Sequence, residues 1–149
     1  MSRRKAREVA MHLVYQLSLK DAVAQEILDN YNEAKSIVFE GDDETEFDTL
    51  ELSNSEMDYI GTTVMGIETN LDNIDSYIEK YSRGWKVSRI GKVELAIMRI
   101  AIYEMTSEND IPNASAINEA LELSKIYCED KSKSFVNGIL GSIQKEFDK

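Results

Sequence analysis

The sequence predicts an all-α fold of about seven helices in two packed groups, and three observations carry that prediction. Apolar residues recur at three- and four-residue spacing along most of the chain. Seven glycines and one proline punctuate 149 residues, few for a β-rich chain of this length. The stretch Lys92 to Met105, KVELAIMRIAIYEM, is apolar at ten of its fourteen positions, on more than one helical face. Val93, Ala96, Ile97, Ile100 and Ala101 form one stripe; Leu95, Met98, Ile102 and Met105 form another. A helix apolar nearly all round must be covered by several neighbours, so this stretch is predicted to be the central helix. It is too short to span a bilayer, and Lys92, Glu94, Arg99 and Glu104 interrupt it. Charges inside a buried helix need partners or an exposed edge.

The other elements follow in chain order. Ser2 is placed to cap a first helix, in which Ala6, Val9, Ala10, Leu13, Val14 and Leu17 repeat at helical spacing. Its other face carries Arg4, Arg7, Glu8 and His12. Asp21 is the predicted cap of a second helix, with Val23, Ile27, Tyr31, Ala34 and Val38 on its stripe. The pattern stops near Gly41, where GDDETEFDT forms an acidic loop to Thr49 without periodicity. A third helix starts at about Ser53 and buries Met57, Ile60, Val64 and Ile67. A fourth buries Leu71, Ile74, Ile78 and Tyr81. Gly84 and Trp85 mark a joint, dividing the single domain into helical subdomains of about 1–82 and 83–149. Beyond the central helix, Ile111-Pro112 ends an exit loop. A sixth helix turns Ala116, Ile117, Ala120, Leu121, Ser124 and Tyr127 to the core. A seventh, from near Ser132, uses Phe135, Val136, Ile139, Leu140 and Ile143.

Composition bounds the function. No long apolar run suits a membrane span, and no apolar segment with a cleavage site suits a secretory signal. The single cysteine excludes an intramolecular disulfide and fits the cytoplasm. Net charge is −11, yet it is unevenly spread. Residues 1–19 carry four basic residues and one acid, residues 20–80 three and seventeen, and residues 81–149 ten of each. Screening acts over about 8 Å at physiological salt, so the local field at a binding face outweighs the global sum.

Catalytic and metal signatures are absent. His12 is the sole histidine and has no second histidine to share a metal with; it reads as a solvated residue within reach of Glu8. Cys128 has no CxxC partner and reads as a small apolar residue near a helix end. Glu119 and Glu122 are spaced as in di-iron bundles, but those sites need Glu-x-x-His pairs. No glycine-rich phosphate loop, GxSxG, HExxH or EF-hand order occurs. The sequence therefore predicts neither an enzyme nor a cofactor. The strongest chemical signal is basic: Arg3, Arg4, Lys5 and Arg7 at the start of a helix, whose dipole adds to their charge and suits phosphate. An ordinary charged terminus is the alternative. Phe135, after Lys131 and Lys133, is either a core residue or a stacking platform for an unstacked base.

Taken together, these motifs resemble the NusB family of transcription antitermination factors. The resemblance rests on SRRKARE-x-A at Ser2 to Ala10, VELAIMRIAIYEM at Val93 to Met105, and Asp110-Ile-Pro112. It extends through AINEA at Ala116 to Ala120 with Glu122, Leu123 and Lys125, to FVNG at Phe135 to Gly138 with Leu140. It covers the first twenty and last sixty or so residues. The 129–132 turn, Glu-Asp-Lys-Ser, departs from the family's acidic turn, and the acidic loop is longer than is usual there. The resemblance implies two small helical bundles and no enzymatic activity. It implies binding of single-stranded boxA RNA jointly with NusE, a small-subunit ribosomal protein. That complex would join elongating RNA polymerase with other Nus factors and promote read-through in ribosomal RNA operons. By motif position, Arg3, Arg4 and Arg7 would contact phosphate, Arg99 would lie near the RNA side of the central helix, Phe135 would meet a base, and Glu94 would face NusE. The competing reading is a protein-only interaction module that works through the acidic segment.

Overall fold

The computed structural model describes residues 3–19, 21–40, 52–107 and 111–147. Among the described residues are seven α-helices and no strand, as the fold class predicted. They are α1 (Arg3–Leu17), α2 (Ala24–Glu40), α3 (Asn54–Thr69), α4 (Leu71–Tyr81), α5 (Lys92–Thr106), α6 (Asn113–Tyr127) and α7 (Asp130–Phe147). A short 3-10 turn, Val87–Arg89, precedes α5. The predicted cap Ser2 and the acidic loop Gly41 to Thr49 lie outside the described residues.

The predicted central helix occupies the centre. α5 packs against α1, α3, α4, α6 and α7, so nearly its whole circumference is covered. Leu95 to Ile102 and Glu104 to Met105 are all buried. α1, α2 and α3 pack on one another, and α5, α6 and α7 do the same. α1 also packs on α5 and α4 on α7, so one hydrophobic cluster runs through all seven helices.

Local chemistry sets the helix ends. α3 starts where predicted, and Ser53 caps it: its Oγ accepts from Glu56 N at 3.1 Å, and the Glu56 carboxylate accepts from Ser53 N at 2.7 Å. The cap predicted at Asp21 is corrected. Asp21 sits in left-handed backbone at φ 61°, and α2 begins at Ala24. The Ala24 N–H instead donates to the Glu68 carboxylate of α3 at 2.9 Å, a capping partner from another helix. Val23, left ahead of the helix, is 42% exposed rather than on a buried stripe. α7 starts two residues earlier than predicted, at Asp130, whose charge suits a helix N-terminus. Tyr127, predicted to face the core, is exposed at the last residue of α6.

Candidate nucleic-acid interface

The N-terminal basic cluster divides between surface and core. Arg3 opens α1, and its side chain lies outside the described residues. Arg4 is exposed and grips Glu119 of α6 with two bonds, Nε to Oε1 at 2.9 Å and Nη2 to Oε2 at 3.0 Å. The hydrogen bond from Arg4 holds the Glu119 carboxyl below the usual range, partly offset by burial. Arg7 is corrected from a surface position to the interior: it is 7% exposed. Its Nε donates to both Glu104 oxygens, at 3.2 and 2.9 Å, and the Tyr59 hydroxyl donates to the same carboxylate. The guanidinium also lies 5.9 Å from the Tyr59 ring centre. Burial above all, then the Glu104 charge, raises the Tyr59 phenol well above its ordinary value. Glu104 thus ties α1, α3 and α5 together, which explains a carboxylate inside the central helix.

Arg99, expected near the RNA side of the central helix, is buried as well. It is 5% exposed and forms a bidentate pair with Asp75 of α4, at 2.9 and 2.7 Å. Two of the predicted arginines are therefore committed to carboxylates inside the fold. His12, predicted to be solvated near Glu8, is half-buried: its ring meets Tyr127 edge-on at 5.4 Å, and the Tyr127 hydroxyl donates to Glu8.

Glu94 and Phe135 are brought together. Both line a groove of about 360 Å³ with Trp85, Arg89, Gly91 and Lys131. Phe135 is half-buried: it packs against the core and also lines the groove. Glu94 is half-buried beside Cys128. Burial, with the Glu94 charge and its hydrogen bond adding to it, pushes that thiol up to about 11. A second groove, about 350 Å³, continues on the other side of Trp85 and Phe135, between Arg83 and the Ser134, Gly138 and Ser142 face of α7. Arg4 does not share this site. It meets α6 at Glu119, whereas the α6 end near Glu94 lies eight or nine residues on, about 12 Å along the axis.

Sequence reasoning passed over Trp85, Arg83 and Arg89, assigning that segment to a joint. The signal was present in RGWKVSR at Arg83 to Arg89: the sole tryptophan among three basic residues. Among the described residues, no group of histidine, cysteine and carboxylates could hold a metal ion. No described helix is long and apolar enough to cross a membrane.

An all-helical body carrying aromatic grooves rimmed by arginine and lysine defines a helical binding module. The chain belongs to the NusB family, whose model matches residues 4–145. It is 44% identical to the transcription antitermination protein NusB of Acetivibrio thermocellus, over 97% of this chain and 90% of that protein. It is 40% identical to the protein of the same name from Clostridium botulinum, over 96% of this chain and 99% of that one. T. maritima NusB superposes with a TM-score of 0.78 at 30% identity, covering 98% of this chain and 92% of that one. A crystal structure of antitermination factors NusB and NusE in complex with dsRNA contains a chain of the same fold. That chain has a TM-score of 0.77 at 24% identity, over 97% of this chain and 96% of its own length.

Proposed function

We propose that this chain is a transcription antitermination factor that binds boxA RNA together with NusE. It would join the elongating RNA polymerase complex with other Nus factors and promote read-through of ribosomal RNA operons. The observation that carries this is the match to the NusB family over residues 4–145, with a relative named for antitermination at 44% identity. The grooves agree with it: an exposed indole and a half-exposed phenyl ring suit unstacked bases, and Arg83, Arg89 and Lys131 around them suit phosphates. In this reading Arg4, with Arg3, contacts phosphate at one end, Phe135 meets a base, and Glu94 faces NusE. Arg7 and Arg99 act indirectly, by fixing the helices that carry the site. The role is one of assembly, needs no catalytic group or cofactor, and is exercised in the cytoplasm.

Binding of a boxA-like strand and of a scrambled strand, each with and without NusE, tests the proposal. The expected result is preference for the boxA-like strand, strengthened by NusE, with affinity falling steeply as salt rises. Binding to NusE alone, with no RNA binding under any of these conditions, would overturn it in favour of a protein-only module.

A further inference from the structure

Trp85 is the most exposed aromatic side chain among the described residues, at 53%, although tryptophan is ordinarily well buried. The backbone holds it there. Arg83 at φ 57° and Gly84 at φ 90° turn the chain sharply out of α4. The Ser82 hydroxyl then donates to the Trp85 carbonyl at 2.7 Å, and the Trp85 N–H donates to the Ser82 carbonyl at 3.3 Å. Non-glycine residues in left-handed backbone carry strain, so a strained turn that leaves an indole in solvent calls for an explanation. Both grooves meet at this residue. Trp85 and Phe135 are the two aromatic side chains that line both, and the rim carries Arg83 on one side and Arg89 and Lys131 on the other. Glu94 is the one acid on either lining, and it lies beside the Cys128 thiol.

We infer that Trp85 is a base-stacking residue, and that a single RNA strand runs through both grooves with successive bases on Phe135 and Trp85. The inference rests on the RNA reading above and extends the site beyond Phe135, across the turn at Arg83 to Trp85. The charge argues for RNA over an apolar protein segment. In a chain of net charge −11, an aromatic groove edged by three cations suits a polyanion that also offers π faces.

Trp85 is the sole tryptophan, so its emission reports on this residue alone. The experiment titrates the full chain, with NusE present, with an end-labelled boxA-like single strand. Indole fluorescence and the anisotropy of the label are followed together, with tryptophan-free NusE as the partner. The expected result is saturable quenching of Trp85 that tracks the anisotropy. Trp85→Ala should weaken binding by about 5- to 150-fold, the equivalent of one stacked base. Trp85→Phe should keep most of the affinity, as a ring that still stacks. Circular dichroism checks the fold of both variants, and if Trp85→Ala fails to fold, Trp85→Phe and the quenching decide. Tight RNA binding with unchanged emission and unaffected variants overturns this inference and leaves the RNA function standing. No RNA binding by the unaltered chain overturns both. Quenching by NusE alone, with none added by RNA, assigns the grooves to a protein partner and also overturns it.

Discussion

Arg4 and Arg7 stand one turn apart on α1 and do different work. Arg7 neutralises Glu104, a carboxylate 2% exposed, and removing one partner of a buried pair leaves the other charge stranded in a poor solvent. Arg7→Ala should therefore cost about 3–5 kcal/mol in denaturant unfolding. Tyr59→Phe, which removes one hydrogen bond to the same carboxylate, should cost about 1–2 kcal/mol. Arg4, with a side chain 59% exposed, holds Glu119 at the surface, where solvent and salt screen the pair. Arg4→Ala should leave the unfolding midpoint nearly unchanged at neutral pH. The small gap that remains belongs to neutral pH rather than to acid. Glu119 has a lowered value in the folded state, so its contribution is present above the ordinary carboxylate range and vanishes as pH falls through the folded value. Midpoints of the parent and Arg4→Ala should therefore converge toward acid pH; a gap that widens there would refute the assignment.

At the scale of elements, two glycines of α3 make opposite predictions. A Cβ built on Gly66 would lie 2.4 Å from the Tyr103 ring of α5, whereas one on Gly61 meets nothing within 4 Å. Alanine in place of a helical glycine gains up to about 1 kcal/mol. Gly61→Ala should show that gain. Gly66→Ala must separate α3 from α5 or swing the ring aside, and overpacking of about 1–3 kcal/mol outweighs the gain. Thermal melts of the two variants should shift in opposite directions, and Tyr103→Leu should relieve Gly66→Ala. The elements themselves were legible because each buries a stripe at helical spacing, and α5 announced its place by being apolar on more than one face. Contributions from distant sequence were not legible. Arg7 looks like a surface residue until Glu104, 97 positions away, is folded against it. The start of α2 was misplaced because Glu68, 44 positions on, supplies the partner for its first N–H. In the candidate site, Glu94 and Phe135 could be read from motifs. The pairing of Phe135 with Trp85 could not, because it depends on where a strained turn places one indole beside another helix.

For the whole molecule the question is how a chain of net charge −11 holds a polyanion. Beyond about 8 Å, exposed charges are largely screened, so the acids of residues 20–80 matter less to a bound strand than the cations within reach of it. Steering at long range is still unfavourable, and binding should lean on contacts made at the groove. In the proposed RNA site, Arg83, Arg89 and Lys131 provide those contacts, and each phosphate neutralised on a single strand contributes roughly 0.7 to the log–log salt slope. Replacing all three with Ala should flatten the slope by about two and weaken every RNA sequence alike, since cations at phosphates read no bases. Phe135→Leu should do the reverse, lowering affinity while leaving the slope intact, because a ring releases no counterions. Arg7→Ala, measured where the chain is still folded, should also leave the slope intact, because its guanidinium is already matched to Glu104. A slope unchanged by the triple substitution would remove the groove cations from the phosphate contacts and leave those to Arg3 and Arg4 at the start of α1.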